Sequence, residues 1–360
     1  MKSQNYEKKR NTPVKKFKAK MSAEPQSCLC LKHFHMKKTP LLVAACLIAM
    51  IFTSGLAQAG EPLRFIFISH CEDEAFFNPV KKGMQDAAAA MNVQCQFTGT
   101  DGVDLKSQAE LVRKAVADGC DGIALSIIDA HAFDDAISEA IGKGIPVVAF
   151  NVDAQPIKGD LPKENGPAHN RRLSAVCQDF SKAGRTLGEK ALEFIPKGSK
   201  VLLTQHDHGI AALDERLRGM QEVLKRHGVT WKVICTTNEP KKAVELIAAE
   251  LKANRDIRFV LGTGQTDTEA AGVAVERDFS HRGCAVAGFD LSPEILRLIT
   301  AGVIRFSIDQ QPYIQGYYPV VQLALYCRYG ILPSDVDTGA GIVTAGNVGR
   351  VIPLTQKHYR

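Results

Sequence analysis

From residue 63 onward, apolar and polar positions alternate between the two periodicities of regular structure. Residues 64–68 form a short apolar run with β-branched and aromatic side chains, the pattern of a strand buried in a parallel sheet. Asn78-Pro79 predicts a helix start, with Asn as N-cap and Pro at the first helical position. Val80, Met84, Ala87, Ala88 and Met91 then recur on one helical face. The same unit repeats, with strands predicted over 94–98, 122–126 and 146–151 and helices over 105–118 and 133–143. A polar, Pro-, Gly- and Asn-rich loop at 155–172 interrupts the rhythm, and a short strand follows at 174–177.

The alternation restarts with helices over 181–194, 210–227, 241–253 and 268–278 and strands over 200–204, 231–235, 258–263 and 285–289. Repeated βα units of this size imply parallel sheets covered by helices on both faces, and two such series imply two lobes. The end is less regular. Ser292-Pro293-Glu294 caps a helix reaching 300, a strand covers 305–309, and a long, largely apolar helix covers 313–329. A glycine-rich stretch at 339–349 leads to a terminal strand or coil near 351–354. An extra helix and tail after the second series suit segments that recross between lobes and make a hinge.

In an open α/β sheet, ligands bind beyond the carboxyl ends of the strands. The loop 70–77 after the first strand holds Glu72, Asp73 and Glu74, then Phe76 and Phe77. Carboxylates beside paired aromatics suit a ligand with hydroxyls and a C–H face, such as a sugar or polyol.

The first sixty residues are of another kind. Residues 1–35 are basic and carry no core pattern, so they read as an extension, disordered or lying ahead of the true start. Met36-Lys37-Lys38, the apolar run 41–52 and Ala57-Gln58-Ala59 have the three parts of a secretory signal peptide, assigned to 36–59 with translation expected from Met36. Twelve apolar residues fall short of the ~20 that span a bilayer. Removing the leader reverses the charge. The whole chain carries +6, but residues 1–59 hold eleven Lys or Arg and two Asp or Glu, which leaves residues 60–360 with 34 and 37, or −3. Nothing in that balance favours nucleic acid.

Seven cysteines remain beyond the leader, widely spaced and without a CxxC, so buried thiols are expected, with room for one or two disulfides in an oxidising compartment. His206-Asp207-His208 follows a strand and reads as a polar loop facing the ligand crevice; nothing nearby completes a metal set. Gly262-Thr263-Gly264 lacks a full dinucleotide fingerprint, and there is no GxSxG, P-loop or HExxH. No cofactor is expected.

Five segments together resemble the sugar-binding periplasmic proteins of ribose- and galactose-binding type, the solute receptors of ABC importers. They are the Phe76-Phe77 loop with its helix, residues 145–153 (IPVVAFNVD), 214–220 (DERLRGM), 287–290 (AGFD) and 308–312 (IDQQP), in the family's order and at its spacing. The resemblance spans residues 63–350. It implies an α/β fold of two doubly wound parallel-sheet lobes joined by a three-segment hinge, the N-terminal lobe from 60–177 and 311–338 and the C-terminal lobe from 178–310 and 339–360. It implies a periplasmic, monomeric, non-enzymatic receptor that closes on a monosaccharide or polyol and delivers it to an ABC permease.

By resemblance, Phe77 with Phe76 would stack on the sugar ring, and Asp73 and Glu74 stand where a polar side chain precedes that pair. Asn151 stands at an acidic position after the fourth strand. Arg216 would donate to ring and hydroxyl oxygens. Asp267, or Thr266, opens a helix of the second lobe, Asp290 is the carboxylate after Gly-Phe, and Gln310 is the glutamine of the last crossing. His70, where ribose receptors have a small polar residue, Val152 in place of a second arginine, neutral Asn151 and added Asp153 depart from the ribose pattern. The same fold also serves receptors for signalling ligands feeding a chemoreceptor or sensor kinase, and the effector domains of lactose-repressor-type regulators. The latter would need a DNA-binding helix-turn-helix where the leader stands. A sugar-modifying enzyme lacks an acid/base pair at fixed spacing.

Overall fold

The computed structural model describes residues 61–154 and 172–360. The expected leader, the basic stretch before it and residues 155–171 of the polar loop lie outside the described residues. The described residues form one compact unit containing two six-stranded sheets.

The first sheet has strands β1 (Arg64–Ser69), β2 (Gln94–Gly99), β3 (Gly122–Ile127), β4 (Val147–Asp153), β5 (Ala175–Cys177) and β11 (Val336–Asp337), in the order β11-β5-β4-β3-β1-β2. The second has β6 (Lys200–Gln205), β7 (Thr230–Cys235), β8 (Phe259–Gly262), β9 (Ala285–Phe289), β10 (Ile304–Asp309) and β12 (Gly341–Thr344), in the order β12-β10-β9-β8-β6-β7. The two orders are the same doubly wound arrangement. Every pairing is parallel except β10 with β12.

Burial follows position in the sheet. Central β3 and β9 are buried at every residue, whereas the edge strands β2 and β7 alternate with exposed positions. That is the expectation for parallel strands covered on both faces. The pleat then distributes side chains: Phe65 and Phe67 of β1 enter one apolar cluster and Ile68 the other.

Helices α1 (Asn78–Met91), α2 (Leu105–Ala117) and α3 (Asp134–Gly142) cover the first sheet, and α4 (Phe180–Ala191), α5 (Ala211–Arg226), α6 (Pro240–Ala253), α7 (Gln265–Ala274) and α8 (Pro293–Thr300) the second. The long helix α9 (Pro312–Tyr329) follows β10 of the second sheet but packs on α1 and β4 of the first. The chain therefore passes between the sheets three times: after β5, between β10 and α9, and between β11 and β12.

Three sequence expectations change. Asn78 is not an N-cap, because a 3-10 turn (Ala75–Phe77) runs directly into α1 and already fixes the entry of the chain. The helix expected to reach 278 leaves α geometry after Ala274 and continues as a π segment (Val275–Phe279). The terminal strand or coil is a helix, α10 (Val348–Thr355), despite Gly349 and Pro353. Its Val348 and Val351 are buried against the second-lobe core beside α8, and tertiary burial outweighs the β-branched bias of the segment. Elsewhere the predicted boundaries agree to within about three residues, but β11 and β12 are strands where the sequence pattern predicts none, in the irregular, glycine-rich tail. The seven cysteines among the described residues are free thiols, with Cys120 and Cys284 buried and the other five partly so.

The packing of α1 on α9 sets the first lobe against the hinge. Their backbones approach so closely that a Cβ at Gly316 would overlap the Val80 carbonyl, and one at Gly83 the Tyr313 carbonyl. Gly316→Ala should therefore lower stability by about 1–3 kcal/mol, the usual cost of overpacking, despite the better helix propensity of Ala. Thermal unfolding of the variant beside an exposed Gly→Ala control at Gly142 checks it.

Candidate functional site

The equivalence of the two sheets brings equivalent strand ends face to face. Strands β1 and β6 hold the same place in their sheets, and each is followed at its carboxyl end by a histidine, His70 after β1 and His206 after β6. Strands β4 and β9 are likewise equivalent. Asn151 near the end of β4 has φ 63° and Asp290 just after β9 has φ 71°. Asn and Asp tolerate this left-handed conformation better than other residues with a Cβ, and it turns both side chains into the space between the lobes.

That space is a cavity of about 60 Å³. Its polar lining is His70, Glu74, Asn151, His206, Arg216, Gln265, Asp290 and Gln310, and its apolar walls include Phe76, Phe180 and Leu213. Residues of both lobes take part, so the cleft lies where the lobes meet. Small-molecule pockets ordinarily start near ~300 Å³, so a ligand of that size enters only when the lobes part.

Arg216 is the most constrained group. It is 2% exposed. The close packing of α4 on α5 holds its backbone, because a Cβ at Gly184 would strike the Arg216 carbonyl. Its Nε and Nη2 donate to Gln178 Oε1 at 3.0 and 2.8 Å, and Nη1 donates to the Thr263 carbonyl at 2.9 Å. Its guanidinium lies over Phe289, 4.2 Å from the ring centroid, and near Phe180 at 5.4 Å. A guanidinium has five N–H donors, so two remain, one on each Nη nitrogen: a fork. Burial holds the Arg216 pKa below the ordinary guanidinium value, opposed by Asp290 and Asp267.

The other polar groups form a chain. Gln310 Nε2 donates to Asp290 Oδ1 at 2.6 Å; Gln315 Nε2 donates to Gln310 Oε1 at 3.2 Å; and Asn151 Nδ2 donates to Gln315 Oε1 at 3.1 Å. Burial pushes the carboxyl of Asp290 up, with Arg216 and Gln310 opposing, and burial likewise raises Glu74, with His206 opposing. His70 Nδ1 lies 3.0 Å from Ser126 Oγ, and burial, reinforced by the charge of His206, lowers its pKa to about 4. His206 goes the other way. Burial lowers it, but the hydrogen bond and charge of Asp267, with Glu74 and Asp290, outweigh burial and leave it raised. Equivalent places in the cleft thus hold one histidine whose charged form burial opposes and one whose charged form Asp267 favours.

Of the residues expected from sequence, His70, Glu74, Phe76, Asn151, Arg216, Asp290 and Gln310 come together here. Four do not. Phe77 is fully buried behind Phe76, edge-on to it and packed with Phe97 and Phe150, because the 3-10 turn directs the second ring of the pair into the core. Asp73 is exposed outside the cavity. Asp153 is ion-paired with Arg172, whose Nε donates to it at 2.8 Å. Asp267 is fully buried and spent on local bonds, accepting from Thr204 Oγ1, the amides of Thr263 and Gly264, and paired with His206. It orients His206 instead of facing the cavity. Thr266, the alternative to Asp267, bonds Asn238 Oδ1.

Gln265, Phe180, Gln178 and Gln315 were missed. Gln178 and Gln315 sit next to chain crossings, so the signal was their place in the topology, and the composition there is ordinary. His206, read from sequence only as part of a polar loop, had a clearer signal: the repeat of a strand ending in a polar residue and then His.

Two α/β lobes of one topology, closed on a polar cleft and joined by three crossings, define a bilobed binding protein. Residues 65–330 match the periplasmic binding protein domain, and the chain belongs to that family. It is 29% identical over 304 residues to the xylose/arabinose-binding protein XylF of Sulfolobus acidocaldarius, covering 82% of this chain and 75% of that one. It is 22% identical over 284 residues to the ribose import binding protein RbsB of Escherichia coli, covering 77% and 88%. Among solved structures, a carbohydrate transporter from Acidothermus cellulolyticus in complex with myo-inositol superposes with a TM-score of 0.71 at 28% identity, over 83% of this chain and all of that one.

The opposed histidines generate a pH prediction. His70 has a folded pKa of about 4 against 6.5 unfolded. Between those values the unfolded chain binds a proton that the folded one refuses, so stability falls as pH drops from about 6.5 to 4, by about 3 kcal/mol from this group. His70→Gln should flatten that part of the curve, as read by chemical denaturation across the range. His206 has the opposite sign: its contribution is full below 6.5 and is lost as pH rises through its raised folded value.

Proposed function

We propose that this protein is a periplasmic solute receptor that captures a monosaccharide or polyol between its lobes and delivers it to an ABC transporter permease, without catalysing a reaction. The observation that carries the reading is the buried fork of Arg216 facing Asp290, Gln310 and Asn151, with Phe76 beside them. Sugar hydroxyls both donate and accept, so they can pair with the free guanidinium donors and with the amide and carboxyl oxygens, and a ring's C–H face can cover Phe76. The family of the chain and the sugar-binding names of its relatives support the same class. A cleft that sets the carboxyls of Glu74 and Asp290 beside Arg216 and His206 offers both signs of charge and suits an uncharged, hydroxylated ligand better than an anion. Of the expected contacts, we retain His70, Glu74, Phe76, Asn151, Arg216, Asp290 and Gln310, and add His206 and Gln265. Secretion through the leader at 36–59 and a monomeric state belong to the same proposal.

A thermal-shift screen of residues 60–360 against pentoses, hexoses, inositols and sugar acids tests it. A true ligand at 100 times its dissociation constant adds about 2.7 kcal/mol. No shift across the neutral sugars would sink the reading and favour a signalling ligand. For the ligand found, Arg216→Ala or Asp290→Ala should weaken binding at least tenfold in calorimetry, because each leaves a buried partner unpaired at about 1–3 kcal/mol. Near-unchanged affinity would remove that residue from the site.

A further inference from the structure

Gln178 is 2% exposed and sits where the chain first leaves the first sheet, one residue past β5. Its carboxamide faces two ways. The oxygen accepts from Arg216 Nε and Nη2, and the nitrogen donates to the Gly339 carbonyl at 2.7 Å, on the third crossing. The first and third crossings run side by side here. The Thr338 amide donates to the Cys177 carbonyl at 3.0 Å, and the Asp179 amide donates to Asp337 Oδ1 at 3.2 Å. The second crossing joins the same group, since Gln311 Nε2 donates to the Thr338 carbonyl and Gln315 Nε2 to Thr338 Oγ1. One carboxamide therefore links the fork of the binding cleft to the strands that must twist when the lobes part. By taking two of the five guanidinium donors, it also fixes which donors remain for a ligand.

We propose that Gln178 is a positioning residue that couples occupancy of Arg216 to the state of the hinge. The proposal rests on reading the cleft as a sugar site. Two substitutions in the full chain separate its roles. Gln178→Glu keeps the acceptor oxygens for Arg216 but has no N–H for the Gly339 carbonyl. Gln178→Leu removes both contacts at similar volume. The probe is the sugar giving the largest thermal shift in the panel, and the readouts are its affinity by calorimetry and amide hydrogen exchange of segment 336–341 with and without it.

Sugar should slow exchange of 336–341 at least threefold in the unaltered protein. Gln178→Glu should bind within about threefold of it yet lose that protection. Gln178→Leu should bind at least tenfold more weakly. Protection retained in Gln178→Glu, or affinity within threefold in Gln178→Leu, overturns the proposal. Should Gln178→Leu not fold, Gln178→Glu decides alone, because a merely structural role would not move exchange at 336–341 while sparing affinity. Should no sugar bind, the functional reading fails by itself. The Gln178 tie is then judged without ligand: exchange at 336–341 in Gln178→Glu must rise at least threefold, and an unchanged rate overturns it.

Discussion

A guanidinium buried between two lobes governs this structure. Taking such a charge out of water costs several kcal/mol unless hydrogen bonds and an opposite charge replace the solvent. Arg216 meets the requirement with Gln178, the Thr263 carbonyl, the face of Phe289 and the nearby Asp290. Each partner is held in turn. Gln178 is fixed by the third crossing, Asp290 by Gln310, and the backbone of Arg216 by the contact of α5 with α4. The arrangement leaves two N–H donors of a cavity-lining guanidinium without a protein acceptor, and their need for acceptors gives the cleft selectivity toward a hydroxylated guest.

The second constraint is repetition. One doubly wound order, used twice and closed face to face, sets the ends of β1 and β6 opposite each other and makes those of β4 and β9 a matched pair. Equivalent positions carry different chemistry. His70 borders Ser126 and Phe77, and burial keeps it neutral. His206 is bonded to Asp267, which favours its charged form. A symmetric scaffold thus acquires two walls of opposite charge preference through neighbours outside the cavity. Asp267 matters to the cleft in this indirect way.

Closure and recognition share the same atoms. The network from Asn151 through Gln315 and Gln310 to Asp290 runs from a strand end of the first lobe to a strand end of the second, and Gln315 also touches the third crossing. Parting the lobes must break or rearrange it. Lining residues and hinge residues are therefore one hydrogen-bonded set, and a ligand replacing some of these bonds acts directly on the crossings.

Periodicity alone determined the alternating strands and helices, because parallel strands buried on both faces must be apolar throughout and their covering helices must carry a stripe. It also determined the break between two series and the loops in which chemistry would lie. Motif order pointed to Arg216, Asp290, Gln310, Asn151 and the Phe76 loop. Only the tertiary structure decided which way each of those loops faces. Phe76 and Phe77 are chemically identical neighbours, and the 3-10 turn sends one to the cleft and the other to the core. Asp153 and Asp267 look like ligands in one dimension and are consumed by Arg172, His206 and backbone amides in three. The C-terminal segment reads as a strand or coil and folds as α10, since its burial against the second lobe exceeds a local bias worth less than ~1 kcal/mol per residue. The physical reason is the same throughout. Sequence periodicity reports how a segment partitions between water and core, whereas a buried polar group is committed by whichever partner the fold brings within hydrogen-bonding distance.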